Sequence, residues 1–211
     1  MKMNEQQFQR AAGISAGLAA RWFSNIDISM KEFGITEPLD QAMFIAQMGH
    51  ESGGFTRLVE NLNYSADSLV PTFGKHRITA QQSAVLGRTA TQPADQRAIA
   101  NLVYEGEWGK KNLGNQVVGD GWKYRGRGLK HITGLANYRD CGIALKVDLI
   151  THPELLEQDL YSARSAAWFF TAKGCLKWSG DLVRVTQIIN GGQNGIDDRK
   201  ARYLLAKSIL V

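Results

Sequence analysis

Two carboxylates, Glu51 and Glu60, stand on either side of a glycine pair, in Gly49-His50-Glu51-Ser52-Gly53-Gly54-Phe55 and the Leu58-Val59-Glu60-Asn61-Leu62-Asn63-Tyr64 that follows. A pair of acids serving one bond, one protonating the leaving oxygen and the other taking a proton from water, is the chemistry of glycoside hydrolysis. Upstream, Ala42, Met43, Phe44, Ile45, Ala46 and Met48 are apolar nearly all round, which reads as a buried helix with Glu51 at its C-terminal end. The negative end of the helix macrodipole and an apolar setting both disfavour an ionised carboxylate. A raised pKa is therefore expected for Glu51, as a general acid needs. Along an unbroken helix the two side chains would lie about 13 Å apart on opposite faces. Gly53-Gly54 breaks the helix, and the expected outcome is a pair held at the roughly 6.5–9.5 Å that leaves room for a water. Spacing alone fits equally well a capped helix end with two solvated glutamates.

The elements that would position such a pair follow from period and punctuation. Ser15 precedes a helix-period stripe of Leu18, Ala19, Trp22, Phe23, Ile26, Met30 and Phe33 that stops at Gly34, and Pro38 opens the helix that carries Glu51. Residues 61–88 read as short helices and loops. Thr91 and Pro93 open a helix through Ile99, Leu102 and Val103. From Gly106 to Gly128 glycine dominates and loop is expected, with Trp122-Lys123-Tyr124 the one strand candidate, half of a small hairpin. Helices then resume: Pro153 opens Glu154-Leu155-Leu156, a stripe from Tyr161 to Phe170 ends at Gly174, another from Leu182 to Ile189 ends at Gly191-Gly192, and a basic amphipathic helix from Asp198 to Ile209 closes the chain. The predicted class is all-α with a Gly-rich hairpin region. No repeat, low-complexity tract or linker divides the 211 residues, so a single catalytic domain, or two lobes sharing a cleft, is expected.

A second segment, Gly119 to Gly134 with Asn137-Tyr138 behind it, joins the first. Four blocks then stand in order: Gly49 to Phe55, Glu60 to Ala66, Arg125 to Thr133, and Ile189-Asn190-Gly191-Gly192 with Arg199 and Tyr203 after it. In these blocks the chain resembles the chitinase-like glycoside hydrolases of family 19, most closely their compact bacteriophage endolysin branch. The resemblance implies a two-lobed lysozyme-like fold with a catalytic cleft. It implies Glu51 as general acid, Glu60 as general base and Thr133 as a holder of the attacking water. Asn137 and Asn190 match sugar-binding asparagines, Tyr64 falls in the block lining the cleft floor, and Arg199 matches an arginine in the charge network behind the acid. Arg127, inside the third block, joins the substrate-binding set. One position departs. His131 stands where the family usually has Gln, and Lys130 before it where an apolar residue is usual. Both Gln and His can hydrogen-bond an N-acetyl group, so His131 stays in the substrate-binding set.

The activity so implied is hydrolysis, with inversion, of the β-1,4 bonds of the bacterial cell-wall glycan, without metal or organic cofactor. Peptidoglycan strands would be the partner of a monomeric enzyme, with no nucleic acid bound and no stable membrane insertion. The start Met1-Lys2-Met3-Asn4-Glu5 is polar and reads as no signal peptide, so a protein made in the host cytoplasm, released with a holin's help and acting on the wall in the periplasm is expected. The alternatives are a chitinase on the same site, a glycan-binding protein that has lost catalysis, and an effector injected into competitors. Muramidase and glucosaminidase cleavage are not separable from the motifs.

Composition narrows the rest. A formal charge of +5 and pI near 9.2 favour an anionic partner, with Lys110-Lys111 and Lys123 to Lys130 the local clusters. In the second cluster Trp122 and Tyr124 are interleaved where they could stack on sugar rings or on bases, and the Glu51/Glu60 pair decides for sugar. Cys141 and Cys175 are expected as two buried free thiols, and Trp22 and Trp168 as core. A zinc helix around His50-Glu51 fails because position 54 is glycine, and Gly119 to Gly128 lacks the Gly-Lys-Ser/Thr ending of a phosphate loop.

Overall fold

A computed structural model of the chain describes residues 3–211. Its helices run α1 (Glu5–Ala12), α2 (Ala16–Glu32), α3 (Pro38–Glu51), α4 (Ala66–Phe73), α5 (Ala80–Leu86), α6 (Gln96–Tyr104), α7 (Gly106–Leu113), α8 (Asp120–Lys123), α9 (Leu135–Leu145), α10 (Asp159–Ala172), α11 (Leu182–Asn190) and α12 (Ile196–Leu210). The fold is all-α, as expected. The described residues hold no sheet, only isolated antiparallel bridges Val59–Arg127 and Arg127–Ile132 and a parallel one between Ser65 and Arg88. The chain forms two compact units. Among the described residues, one comprises residues 3–58 with Gly128–His131 and Glu154–Val211, and the other Val59–Arg127 with Ile132–Pro153.

In the first unit the local signals work as written. Ser15 caps α2 by accepting from the Leu18 N–H at 3.3 Å, Pro38 opens α3, and α3 ends at Glu51 with Ser52, Gly53 and Gly54 after it. Gly53 and Gly54 adopt φ of 59° and 76°, and Phe55 follows at 64°. Two glycines take the left-handed conformation readily, whereas the phenylalanine is held there by its surroundings. Its ring is fully buried, its N–H donates to Ser52 Oγ at 2.9 Å, and its carbonyl accepts from the Trp22 indole at 2.9 Å. Helix α3 buries Ala42 through Ala46 and Met48 almost completely, each large side chain contributing about 1.5–3 kcal/mol. Helix α12 packs along it. Trp22 belongs to this core, whereas Trp168 is only partly buried. Helix α1 has no counterpart among the expected elements, although Asn4 and Gln7 form a full capping box at its start.

The second unit departs further from expectation. Its core is Leu62, Leu69, Phe73, Ile78, Ile99, Ala100 and Val103. Trp122 and Lys123 lie in helix α8 with Tyr124 as its C-cap, so they form no hairpin strand, and α7 occupies a stretch expected as loop. A glycine-rich segment is a poor helix former by itself, and tertiary partners explain why these turns hold. The Glu105 carboxylate accepts from the Gly119 and Gly121 N–H groups, and Asn101 Oδ1 accepts from Trp122 N–H at 2.7 Å, satisfying the open end of α8 from α6 and its cap. A Cβ on Gly121 would come within 2.5 Å of the Ala100 carbonyl, and one on Gly109 within 2.0 Å of the Tyr104 carbonyl. Gly109 and Gly121 permit close contact with neighbouring backbone inside helices, while Gly114 and Gly119, at φ 71° and 100°, do mark the loop between α7 and α8. A tight turn does exist, displaced from its expected place: Arg127 and Ile132 exchange both backbone hydrogen bonds, at 3.2 and 2.8 Å.

Candidate functional site

The first unit carries Glu51, His131, Asn190 and Arg199; the second carries Glu60, Tyr64, Arg127, Thr133 and Asn137. The two carboxylates thus belong to different units.

Glu51 ends α3 nine-tenths buried, and its oxygens accept from Arg199 Nη2 and, at 3.3 Å, from Lys130 Nζ. Arg199 projects from the first turns of α12, almost wholly buried, and its other Nη donates to the Gln47 side-chain oxygen. The Gln47 amide in turn donates to Thr186 Oγ1 at 3.0 Å. This run of polar groups crosses the core of α3, α11 and α12 with each member satisfied, as buried polar groups must be. Gln47 was not among the expected functional residues. The signal for it is present in the sequence, since it lies one helical turn before Glu51 as the lone polar side chain in an apolar run.

The electrostatic expectation for Glu51 is reversed. Burial pushes its carboxyl up, but Lys130 and Arg199 together outweigh that and hold it below the ordinary carboxylate range. Apolar neighbours and a helix end were legible along the chain; two cations arriving from residues 130 and 199 were not. Lys130, the residue where the family resemblance leads one to expect an apolar side chain, is a partner of the carboxylate and also sits 4.9 Å over the Phe169 ring. Beside it His131 takes φ of 53°, and burial lowers its imidazole pKa against the opposing pull of Glu51. The ring is therefore neutral near pH 7 and offers one donor and one acceptor, as an amide does. Asn190 ends α11, and its Nδ2 is buried without a hydrogen-bond partner among the described residues. A polar group held dry and unsatisfied in this way is suited to a ligand oxygen.

Glu60 is built differently. It accepts from the Gly126 N–H at 2.7 Å and from the Tyr104 hydroxyl at 2.8 Å. Burial raises its pKa, and these hydrogen bonds with the charges of Arg125 and Arg127 offset only part of the rise. Tyr104 is a second residue the sequence reading missed, and forty-four positions of separation leave no local signal for it. Its own hydroxyl is pushed far up by burial and by Glu60, so it remains a proton donor. Burial, and after it the Glu60 charge, raises the pKa of the Tyr64 hydroxyl. Arg127 donates to the Lys123 carbonyl at 2.7 Å and to the Tyr138 hydroxyl at 3.0 Å, and the Tyr138 hydroxyl donates to the Arg125 carbonyl. Arg127 thus braces the segment around Glu60 and is itself buried. Asn137 donates to the Thr133 carbonyl at 2.8 Å. Thr133 does not cap α9, whose N-cap is Gly134. Tyr124 is buried against Tyr138, and the Arg125 guanidinium lies 3.9 Å over the Trp122 ring, so stacking of sugars on both aromatics is not supported. Cys141 and Cys175 are buried thiols outside any disulfide, the Cys175 thiol pushed up to about 12 by burial.

Among the described residues no three His, Cys, Asp or Glu side chains cluster as metal ligands do, and no helix is long and apolar enough to cross a membrane.

No family model matches the chain. A glycosyl hydrolase family 19 domain-containing protein of Haemophilus influenzae is 38% identical over 185 residues, 86% of this chain and 85% of that protein. The endochitinase CH5B of Phaseolus vulgaris is 35% identical over 94 residues, 34% of this chain and 29% of its own. Among solved structures, a bacterial family 19 chitinase matches with a TM-score of 0.60 at 17% identity, covering 100% of this chain and 95% of that one. Chitinase C of Streptomyces griseus matches with a TM-score of 0.56 at 17% identity, over 98% of this chain and 76% of that one. At such identities the structural likeness speaks for the fold.

Proposed function

This chain belongs to glycosyl hydrolase family 19, and from that premise we propose that it hydrolyses the β-1,4 bonds of bacterial cell-wall glycan as a phage endolysin, released from the host cytoplasm with a holin's help and working as a monomer in the periplasm. The observation that carries the wall over chitin is charge. At +5 the protein suits a polyanionic wall, whereas chitin has no charge to attract it. The second reading is a chitinase, favoured by the endochitinase and chitinase names of the plant relatives and solved structures. Mass spectrometry of purified wall after digestion tests the proposal and names the bond: soluble muropeptides with a new reducing sugar are expected, that sugar separating muramidase from glucosaminidase cleavage, and an untouched wall beside cleaved chitooligosaccharides would make the protein a chitinase.

In the proposed mechanism Glu51 protonates the leaving oxygen while Glu60, aided by Thr133, activates a water for direct displacement, and His131, Asn190, Asn137 and Tyr64 hold the sugars; Arg127, expected among them, is buried and braces the Glu60 segment instead. The electrostatics favour one rival assignment, with the roles exchanged: Glu60 is the carboxyl whose proton is retained to higher pH, and Glu51 is the better-stabilised anion. For Glu51 to act as acid, the approach of substrate must loosen its hold on Lys130 or Arg199. Either assignment gives inversion. A β-linked chitooligosaccharide or wall fragment is therefore expected to release the α-anomer first, read by proton NMR of the earliest product, and an initial β-anomer would show a double displacement in place of direct attack by water.

Attraction of a cationic protein to an anionic wall is screened beyond about 8 Å at physiological salt. The clearing rate on outer-membrane-permeabilised cells is accordingly expected to fall as salt rises, while hydrolysis of an uncharged chitooligosaccharide stays flat. Equal salt profiles on the two substrates would remove charge as the reason for preferring the wall.

A further inference from the structure

Beside Glu60, within the second unit, an open groove of about 480 Å³ is lined by Arg97, Lys123, Arg125 and Arg127. Its one acid, Asp120, is turned to the backbone, accepting from the Gln116 and Val117 N–H groups at 2.8 and 3.0 Å. Arg125 and Arg127 reach the Glu60 carboxyl electrostatically and so tie the groove to the proposed base. Arg97 and Lys123 add positive charge beyond what that carboxylate offsets, both exposed and neither in an ion pair among the described residues. The face of Trp122 under the Arg125 guanidinium is taken, so the groove presents charge where a sugar subsite would present a bare ring. Val117 and Val118 stand on its edge, 65% and 91% exposed. Hydrophobic side chains so open beside the exposed Arg97 and Lys123 suit a ligand that alternates carboxylates with small apolar groups.

We propose that this groove binds the carboxylates of the short acidic peptides that cell-wall glycan carries on alternate sugars, so that the enzyme reads the peptide as well as the saccharide. The proposal rests on the wall-glycan reading above. It assigns Arg97 and Lys123 to peptide carboxylates and Val117 and Val118 to the peptide's alanine methyls.

The test has two arms on the full chain. In the first, the free tripeptide alanyl-γ-glutamyl-diaminopimelate is titrated against labelled protein and followed by amide and indole NMR. Millimolar-range saturable shifts at Val118, Gly119 and the Trp122 indole are expected, and are expected to vanish in Arg97→Gln/Lys123→Gln, whose exposed positions leave folding undisturbed. In the second, kcat/KM is compared on peptide-bearing glycan strands and on strands stripped of peptide by an amidase. The ratio of the two is expected to fall about 5- to 10-fold in the double variant, the size expected for loss of two exposed charge contacts. Absence of tripeptide shifts in the wild type, shifts that persist in the double variant, or an unchanged ratio would each overturn the proposal. Tripeptide binding by a protein that leaves intact wall uncut would instead uphold the groove's ligand and overturn the proposed function.

Discussion

Glu51→Gln is expected to lower the rate of wall hydrolysis by about 10²- to 10⁴-fold, the range that a positioned proton donor or acceptor supplies. The amide keeps an oxygen for Arg199 and the shape of the side chain, so helix α3 and its packing are retained, but it holds no proton to give and no charge to stabilise. Glu60→Gln is expected to be severely impaired as well, since its amide no longer takes a proton from water. The two variants separate on an activated aryl chitooligoside. A nitrophenolate departs without protonation, so the variant lacking the acid recovers most of its rate on that substrate, while the variant lacking the base does not. Recovery by Glu51→Gln assigns it as acid. Recovery by Glu60→Gln assigns the exchanged roles that the charges around the two groups favour. A folded Glu51→Gln protein clearing cells at near wild-type rate would remove Glu51 from the mechanism.

The second large effect is on stability. Arg199→Leu leaves Glu51 with Lys130, at 3.3 Å, as its remaining partner and the Gln47 oxygen without its donor, in a buried part of the first unit. Removing one member of a buried ion pair costs about 3–5 kcal/mol, which in a chain of this size lowers Tm by roughly 10 °C. Glu51→Leu/Lys130→Leu/Arg199→Leu, with all three charges gone, is expected to regain part of that loss without regaining activity. Acid acts on the same contact. The folded Glu51 carboxyl titrates below its ordinary value, so the stability its pairing contributes is present above about pH 4.5 and is lost as pH falls through the lowered folded value. Arg199→Leu should therefore flatten this part of the acid limb in a Tm-against-pH series. A Tm for Arg199→Leu within a degree or two of wild type would show that the pair adds nothing net.

Much that decides the chemistry was written locally. Ser15, Pro38 and the Gly53-Gly54 pair set the ends of α2 and α3 by hydrogen bonds and torsions within a few residues, and apolar periodicity placed Glu51 at a buried helix end. The same local rules misread the stretch from Gly106 to Tyr124. They price glycine as a helix breaker, and here the N–H groups of α8 are satisfied by Glu105 and Asn101 while the glycines let helices touch. The burial of Glu51 at a helix end could be read from the chain; the ionisation of the two carboxylates could not. Glu51 sits where burial alone would hold its proton, and it is an anion because Lys130 and Arg199 meet it from 79 and 148 residues away. Glu60 is raised despite Tyr104, Gly126 and two arginines, because its burial outweighs them. Helix propensity and capping depend on neighbours along the chain, so sequence determines them. A pKa depends on charge and solvent within a few ångströms in any direction, and only the tertiary structure decides what stands there.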